Sequence, residues 1–118
     1  MKNFMAVFTG SATSEARAQW DRLDEQERKR RQAAGMKAWQ EWMVRHESVL
    51  VEGGGPLGKT KRISREGIAD TRNNLAAYVL VRADSHQAAA QLFEGHPHFS
   101  IFPGDAVEVM ECLPVPKG

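Results

Sequence analysis

The stretch Leu75-Ala76-Ala77-Tyr78-Val79-Leu80-Val81-Arg82 decides the fold. Strand alternation places Leu75, Ala77, Val79 and Val81 on one side and Ala76, Tyr78 and Leu80 on the other. Both sides are apolar, so this strand belongs between two covering layers. Residues 4–9 repeat the pattern, with Phe4, Ala6 and Phe8 on one side and Met5 and Val7 on the other, before Gly10, Ser11 and Thr13 end the run. Two strands apolar on both faces set the problem that the rest of the chain has to solve.

C-terminal to residue 82, Asp84 or Ser85 caps a helix whose Ala89, Leu92 and Phe93 share a face, and Gly95 and Pro97 end it. A loop to Gly104 leads into a last strand over residues 106–112, which places Cys112 as a small buried side chain, and Pro114 and Pro116 stop further pairing. N-terminal to residue 75, Asn73-Asn74 marks a turn. Residues 59–64 and 68–72 flank Arg65-Glu66-Gly67 as the arms of a small β-hairpin. Val49, Leu50 and Val51 read as a strand entering the loop Gly53-Gly54-Gly55-Pro56-Leu57-Gly58.

Between residues 13 and 48 the period is helical. Thr13 or Ser14 caps the first turn, Glu15 suits the positive end of the helix dipole, and Ala16, Trp20 and Leu23 share a side with Glu27. Asp24–Arg28, Glu25–Lys29 and Glu27–Arg31 are acid-before-base pairs at i,i+4, the signature of a solvated surface rather than a nucleic-acid patch. At Gly35 the apolar stripe rotates to Ala38, Trp39, Trp42 and Met43, with His46 one turn beyond Trp42. That rotation predicts either a kink at Gly35 or two consecutive helices.

The order is α+β: a ferredoxin-like β-α-β-β-α-β chain with an antiparallel sheet, both helices on one face, and an extra β-hairpin between strands 2 and 3. No remaining element is long enough to cover the second apolar face. A second copy of the chain is the direct cover, so a homodimer with sheets packed face to face is expected.

At 118 residues the chain makes a single domain, 1–118. A hydrophobic fraction of 42%, a charged fraction of 26% and a net charge of +1 describe an ordinary globular balance with no field that selects nucleic acid or an anionic membrane. No stretch reaches the roughly 20 apolar residues of a membrane span, no signal peptide fits the N-terminus, and the lone Cys112 allows no internal disulfide. A cytoplasmic protein is expected.

Gly53-Gly54-Gly55-Pro56-Leu57-Gly58-Lys59-Thr60 satisfies the pattern of a phosphate-binding loop. That mechanism needs a helix starting at the Lys-Thr pair, whereas Lys61-Arg62-Ile63-Ser64-Arg65-Glu66-Gly67 suits a hairpin arm, and Pro56 removes one of the loop's N–H groups. Nucleotide binding is therefore rejected, and no motif implies a cofactor.

His96-Pro97-His98 follows a helix end, where loop residues can face a cleft. The two histidines read as general acid and base, as metal ligands, or as loop side chains bonding backbone or water. No further Cys or carboxylate stands at a diagnostic spacing, so no metal is assigned. Trp39, Trp42 and His46 share a helical side, which serves core packing and equally the wall of a pocket for a flat or aromatic ligand.

Further segments are Met36-Lys37-Ala38-Trp39-Gln40-Glu41-Trp42, Gly54-Gly55-Pro56-Leu57-Gly58, the run from Ala77 through Ser85, Gly95-His96-Pro97-His98, and Val107-Glu108-Val109-Met110-Glu111-Cys112-Leu113-Pro114. By their order and spacing the chain resembles the YCII-related family, also known by its DGPF motif. The resemblance covers most of the family's length and implies a dimeric α/β-barrel. Better-studied relatives carry a His on the first long helix and an Asp-Pro-Tyr after the second, proposed as a catalytic pair. Here Ala38 and Trp39 stand at the first position and His96-Pro97-His98 at the second, while Ile68-Ala69-Asp70-Thr71 stands where the DGPF sequence would be. Some relatives act on chlorinated or hydroxylated aromatic compounds. The residues themselves lead to the expectation of a pocket for a small aromatic or hydroxy-acid molecule, with His96 or His98 as acid or base and Trp39, Trp42 and His46 around the ligand, and the resemblance leaves a small-molecule enzyme open by analogy. The rival expectation is a non-enzymatic dimeric binding or regulatory module.

Overall fold

The computed structural model describes residues 1–117. In chain order the elements are β1 (Lys2–Thr9), α1 (Glu15–Arg22), α2 (Glu25–Arg45), a 3-10 turn (Glu47–Val49), β2 (Leu50–Pro56), β3 (Thr60–Ser64), β4 (Gly67–Thr71), β5 (Leu75–Ala83), α3 (His86–Gln91), α4 (Pro97–Ser100) and β6 (Ala106–Glu111). The main sheet is antiparallel with strand order β2-β5-β1-β6, and β3 and β4 form a separate two-stranded sheet. The architecture is mixed α+β around an antiparallel sheet, consistent with the fold class expected.

Register explains which side chains meet. Phe4 lies opposite Val81, and Ala6 lies between Val79 on β5 and Val109 on β6. These residues and Phe8 form the core with Trp42 of α2, Ala89 of α3 and Phe93. Fully burying an aliphatic or phenyl side chain of this kind stabilises by about 1.5–3 kcal/mol. The Trp42 indole also donates from Nε1 to the Leu92 carbonyl at 2.9 Å, fixing α2 against the end of α3. Met5 lies opposite both Leu80 and Met110 on the other face, and Val7 lies opposite Tyr78 and Glu108. Met5 and Met110 are 37% and 42% exposed, so helices cover the first face and leave the second open.

The helical region differs from expectation in where it breaks. Gly35 lies inside one continuous helix, and the interruption falls at Leu23 and Asp24. Asp24 is the reason: its carboxylate caps α2 by accepting from the Glu27 N–H at 2.8 Å. It therefore makes no ion pair with Arg28, whose guanidinium instead donates to the Leu23 and Asp21 carbonyls. The other two expected pairs form, Glu25–Lys29 at 3.3 Å and Glu27–Arg31 at 2.9 Å, on an exposed surface. Gly35 serves packing, because a Cβ there would fall 2.5 Å from the Phe102 ring. Trp20 of α1 contacts the same ring, which ties the short first helix to this layer.

Three further expectations are corrected. The glycine run is not a loop: β2 continues through Gly53, Gly54 and Gly55 to Pro56, with register irregularities that a plain strand lacks. Gly54 has φ +62°, and a Cβ there would collide with the Tyr78 carbonyl of β5. Only glycine lets the strand bulge at that point without leaving the sheet. The segment after Gly95 holds a short helix, with Pro97 in its first turn. Cys112 is exposed: its N–H still donates to the Asn3 carbonyl at 2.9 Å, but alternation puts its side chain with Glu108 and Met110 on the uncovered face of the sheet.

Gly54→Ala is expected to lower stability by about 2 kcal/mol or more, as left-handed strain adds to a backbone collision. Gly55→Ala, whose Cβ would meet nothing within 4 Å, should change it by less than about 0.5 kcal/mol. Urea denaturation followed by circular dichroism tests both, and equal midpoints for the two variants would refute this account of the bulge.

Candidate functional site

The second half of α2 presents Trp39, Trp42 and Met43 to the sheet, at the i, i+3, i+4 spacing that makes one helical face. Facing them are Phe8 of β1, Ala77 and Val79 of β5, and the glycine-rich end of β2. Between these elements lies a cavity of about 250 Å³, closed on one side by His98. The glycines are what leave the space: Gly53 has no side chain, and a Cβ there would stand 3.2 Å from the Met43 methyl. The lining is mostly apolar, as small-molecule cavities usually are. The Tyr78 hydroxyl is engaged elsewhere, donating to Glu52 Oε1 at 2.9 Å.

His98 is held from several directions. Its Nε2 lies 2.7 Å from the Thr9 carbonyl, at the end of β1. A carbonyl only accepts, so this nitrogen carries the proton. The Phe8 ring meets the imidazole edge-on at 5.2 Å, and Gly104 lies so close that a Cβ there would overlap the ring. Nδ1 makes no hydrogen bond within the described residues. A neutral His98 thus keeps a lone pair on a ring that lines the cavity.

His96 has a different environment. It caps α4, with Nδ1 accepting from the His98 N–H at 3.0 Å, and it is 1% exposed. Aromatic rings surround it: Trp39 at 4.6 Å, Phe8 at 4.9 Å and Trp42 at 5.0 Å, the Trp39 and Phe8 contacts nearly perpendicular. Its Nε2 is buried without a partner among the described residues. Burial first, then the nearby His98 and His46, push its pKa down to about 4, so the ring is neutral at pH 7.

Of the residues singled out from sequence, Trp39, Trp42 and His98 line one cavity, His96 sits behind that wall, and His46 stands apart from the lining. His46 is the C-cap of α2, with its ring 4.7 Å from that of Trp42, and burial followed by the Arg45 charge lowers its pKa. Sequence reading missed Phe8, Met43 and the β2 glycines as parts of a site. Phe8 and Met43 were already placed facing the core, whereas the role of the glycines depended on the bulge. Among the described residues no three His, Cys, Asp or Glu side chains gather as a metal centre requires. No helix among them is long and apolar enough to cross a membrane.

Fold and cavity together define a mixed α+β protein whose helices and antiparallel sheet enclose a small apolar chamber with an imidazole in its wall. No family model matches the chain, and no curated protein matches it. Among solved structures the chain is similar to 5-chloro-2-hydroxyhydroquinone dehydrochlorinase (TftG) from Burkholderia phenoliruptrix AC1100, determined in complex with 2,5-dihydroxybenzoquinone. Identity is 12%, the alignment covers 91% of this chain and 89% of that one, and the TM-score is 0.51. At that identity the likeness establishes a shared fold.

The pKa of His96 carries a stability consequence. Its folded value, about 4, lies below the ordinary 6.5, so the unfolded chain binds the extra proton between those values. Stability should therefore fall as pH drops from about 6.5 to 4, by on the order of 2–3 kcal/mol from this residue. Urea titrations at pH 7, 5.5 and 4 measure it. The difference between wild type and His96→Gln should shrink by that amount across the window, and a constant difference would contradict the assignment.

Proposed function

We propose that the chain is a YCII-related protein, a cytoplasmic homodimer of single 1–118 domains, that binds a small planar aromatic or hydroxy-acid molecule in the cavity between α2, β2 and α4. One observation carries this reading: a largely apolar cavity walled by Trp39 and Trp42 has in its wall an imidazole whose Nε2–H is bound to the Thr9 carbonyl, while Nδ1 has no partner among the described residues. An aromatic ring gains from stacking on the indoles. A ligand hydroxyl near His98 would donate to Nδ1, and in a low-dielectric site that hydrogen bond is strengthened. His98 is then the acceptor, or base, for the ligand proton. His96 acts by holding the His98 backbone, since its own Nδ1 is committed to that bond. The TftG complex with a dihydroxylated quinone supports a ligand of this class by analogy of fold.

The homodimer rests on the open face of the sheet, where Met5, Leu80 and Met110 meet without a covering helix. Packing two such faces together would bury the apolar centres of both.

A panel of hydroxylated aromatics and hydroxy acids, including 2,5-dihydroxybenzoquinone, is to be titrated while following tryptophan fluorescence. At least one member is expected to bind, with affinity about tenfold or more weaker in His98→Ala, equivalent to about 1.4 kcal/mol, in a variant with wild-type circular dichroism. No binding up to millimolar concentrations, or unchanged affinity in that variant, would sink the reading. Light scattering at micromolar concentration should give the mass of two chains, and a monomer would remove the dimer.

A further inference from the structure

We infer that the β3–β4 hairpin is an intersubunit arm that grips the rim of the second copy's sheet. This rests on the homodimer proposed above and assigns a second contact region to it. From Lys61 through Thr71 every residue of the hairpin is exposed, and its strands pair only with each other. An isolated two-stranded ribbon is at best marginally stable in water, so a persistent arm needs a surface to lie on. Its tip supplies an apolar contact: Ile63 and Ile68 are directly opposite one another and each is 72% exposed. Side by side, they are more than the scattered apolar residue normal on a protein surface.

Charge identifies the occupant. Residues 59–72 carry Lys59, Lys61, Arg62, Arg65 and Arg72 against Glu66 and Asp70, a net +3, which leaves −2 on the rest of a chain whose total is +1. Lys61 is neutralised by Asp70 at 2.6 Å, while Arg62 and Arg65 have no ion-pair partner among the described residues. The open sheet face is the complement. Met5, Leu80 and Met110 form its apolar centre, and Glu52 and Glu108 stand on the edge strands β2 and β6. If two sheets pack by their centres, those carboxylates lie at the rim, where interfaces keep their charged groups. A cationic arm leaving the sheet between β2 and β5 fits the anionic rim of a second copy, since its strands pair with no other strand of their own chain. The isoleucine pair then covers apolar surface beside that rim.

The test is a dilution series of the full chain by sedimentation velocity, with wild type, Ile63→Ser/Ile68→Ser and Arg62→Glu/Arg65→Glu in parallel. Amide hydrogen exchange of residues 60–71 is read above and below the wild-type dissociation constant. Both variants change exposed side chains and should keep wild-type circular dichroism, so either one suffices if the other fails to fold. Dissociation constants raised about tenfold or more, the arginine effect shrinking in high salt, and arm amides protected only in the dimer are the expected results. A wild-type dimer with unchanged variants and equally fast arm exchange at both concentrations would overturn the arm, give it to a different partner, and leave the dimer standing. A monomeric wild type would overturn the dimer and the arm together.

Discussion

The pairing of β1 with β5 governs the rest of the molecule, because each strand is apolar on both faces and neither face can be left to water. One face is answered within the chain: α2 and α3 bring Trp42 and Ala89 down onto Phe4, Ala6, Val79 and Val81. The second face has no such answer among the described elements. Met5, Leu80 and Met110 converge there without a helix above them. Strand alternation makes the two faces inseparable, since any register shift that hid the second would expose the first. The open face is thus written into the same two strands that make the core.

The cavity follows from a conflict between helix and sheet. Trp39, Trp42 and Met43 are large, and a strand of ordinary side chains opposite them would fill the space. The β2 strand instead offers glycines, and the bulge at Gly54 brings its backbone against the Tyr78 carbonyl. A stretch that resembles a phosphate loop in composition is here the thin wall of an apolar chamber. Stability is given up locally, since glycine in a strand loses both packing and chain entropy. Exchanges of that kind are tolerated where an opening is wanted.

Much of this was legible in the sequence, and the failures have physical causes. Alternation in β1 and β5 placed the core face, the two-residue turn at Arg65-Glu66 placed the hairpin, and the tryptophan spacing placed the inner side of α2. Asp24 was read by its charge as an ion-pair partner, whereas its short carboxylate is as good a helix cap, and the cap moved the break away from Gly35. The glycine run was read by turn propensity, which cannot register that a neighbouring carbonyl will fill the place of a missing Cβ. For the histidines, sequence gave adjacency but not difference. Two residues apart on one short turn, His96 is walled in by aromatic rings while His98 reaches a cavity, and only tertiary packing separates their roles.

That separation limits the chemistry the site can perform. Thr9 closes β1, and its carbonyl accepts both the Asp105 N–H at 2.8 Å and the His98 Nε2–H at 2.7 Å. A neutral His98 therefore has its proton committed on the side away from Nδ1, and toward a ligand it can only accept. Among the described residues no carboxylate lines the cavity, and the neighbouring His96 is neutral. What the cavity suits is a ligand that brings a hydrogen-bond donor to Nδ1. A flat conjugated molecule with a hydroxyl donor would meet this condition while its apolar faces suit the indoles. The same tie to Thr9 binds site to fold: whatever moves the end of β1 moves the acceptor.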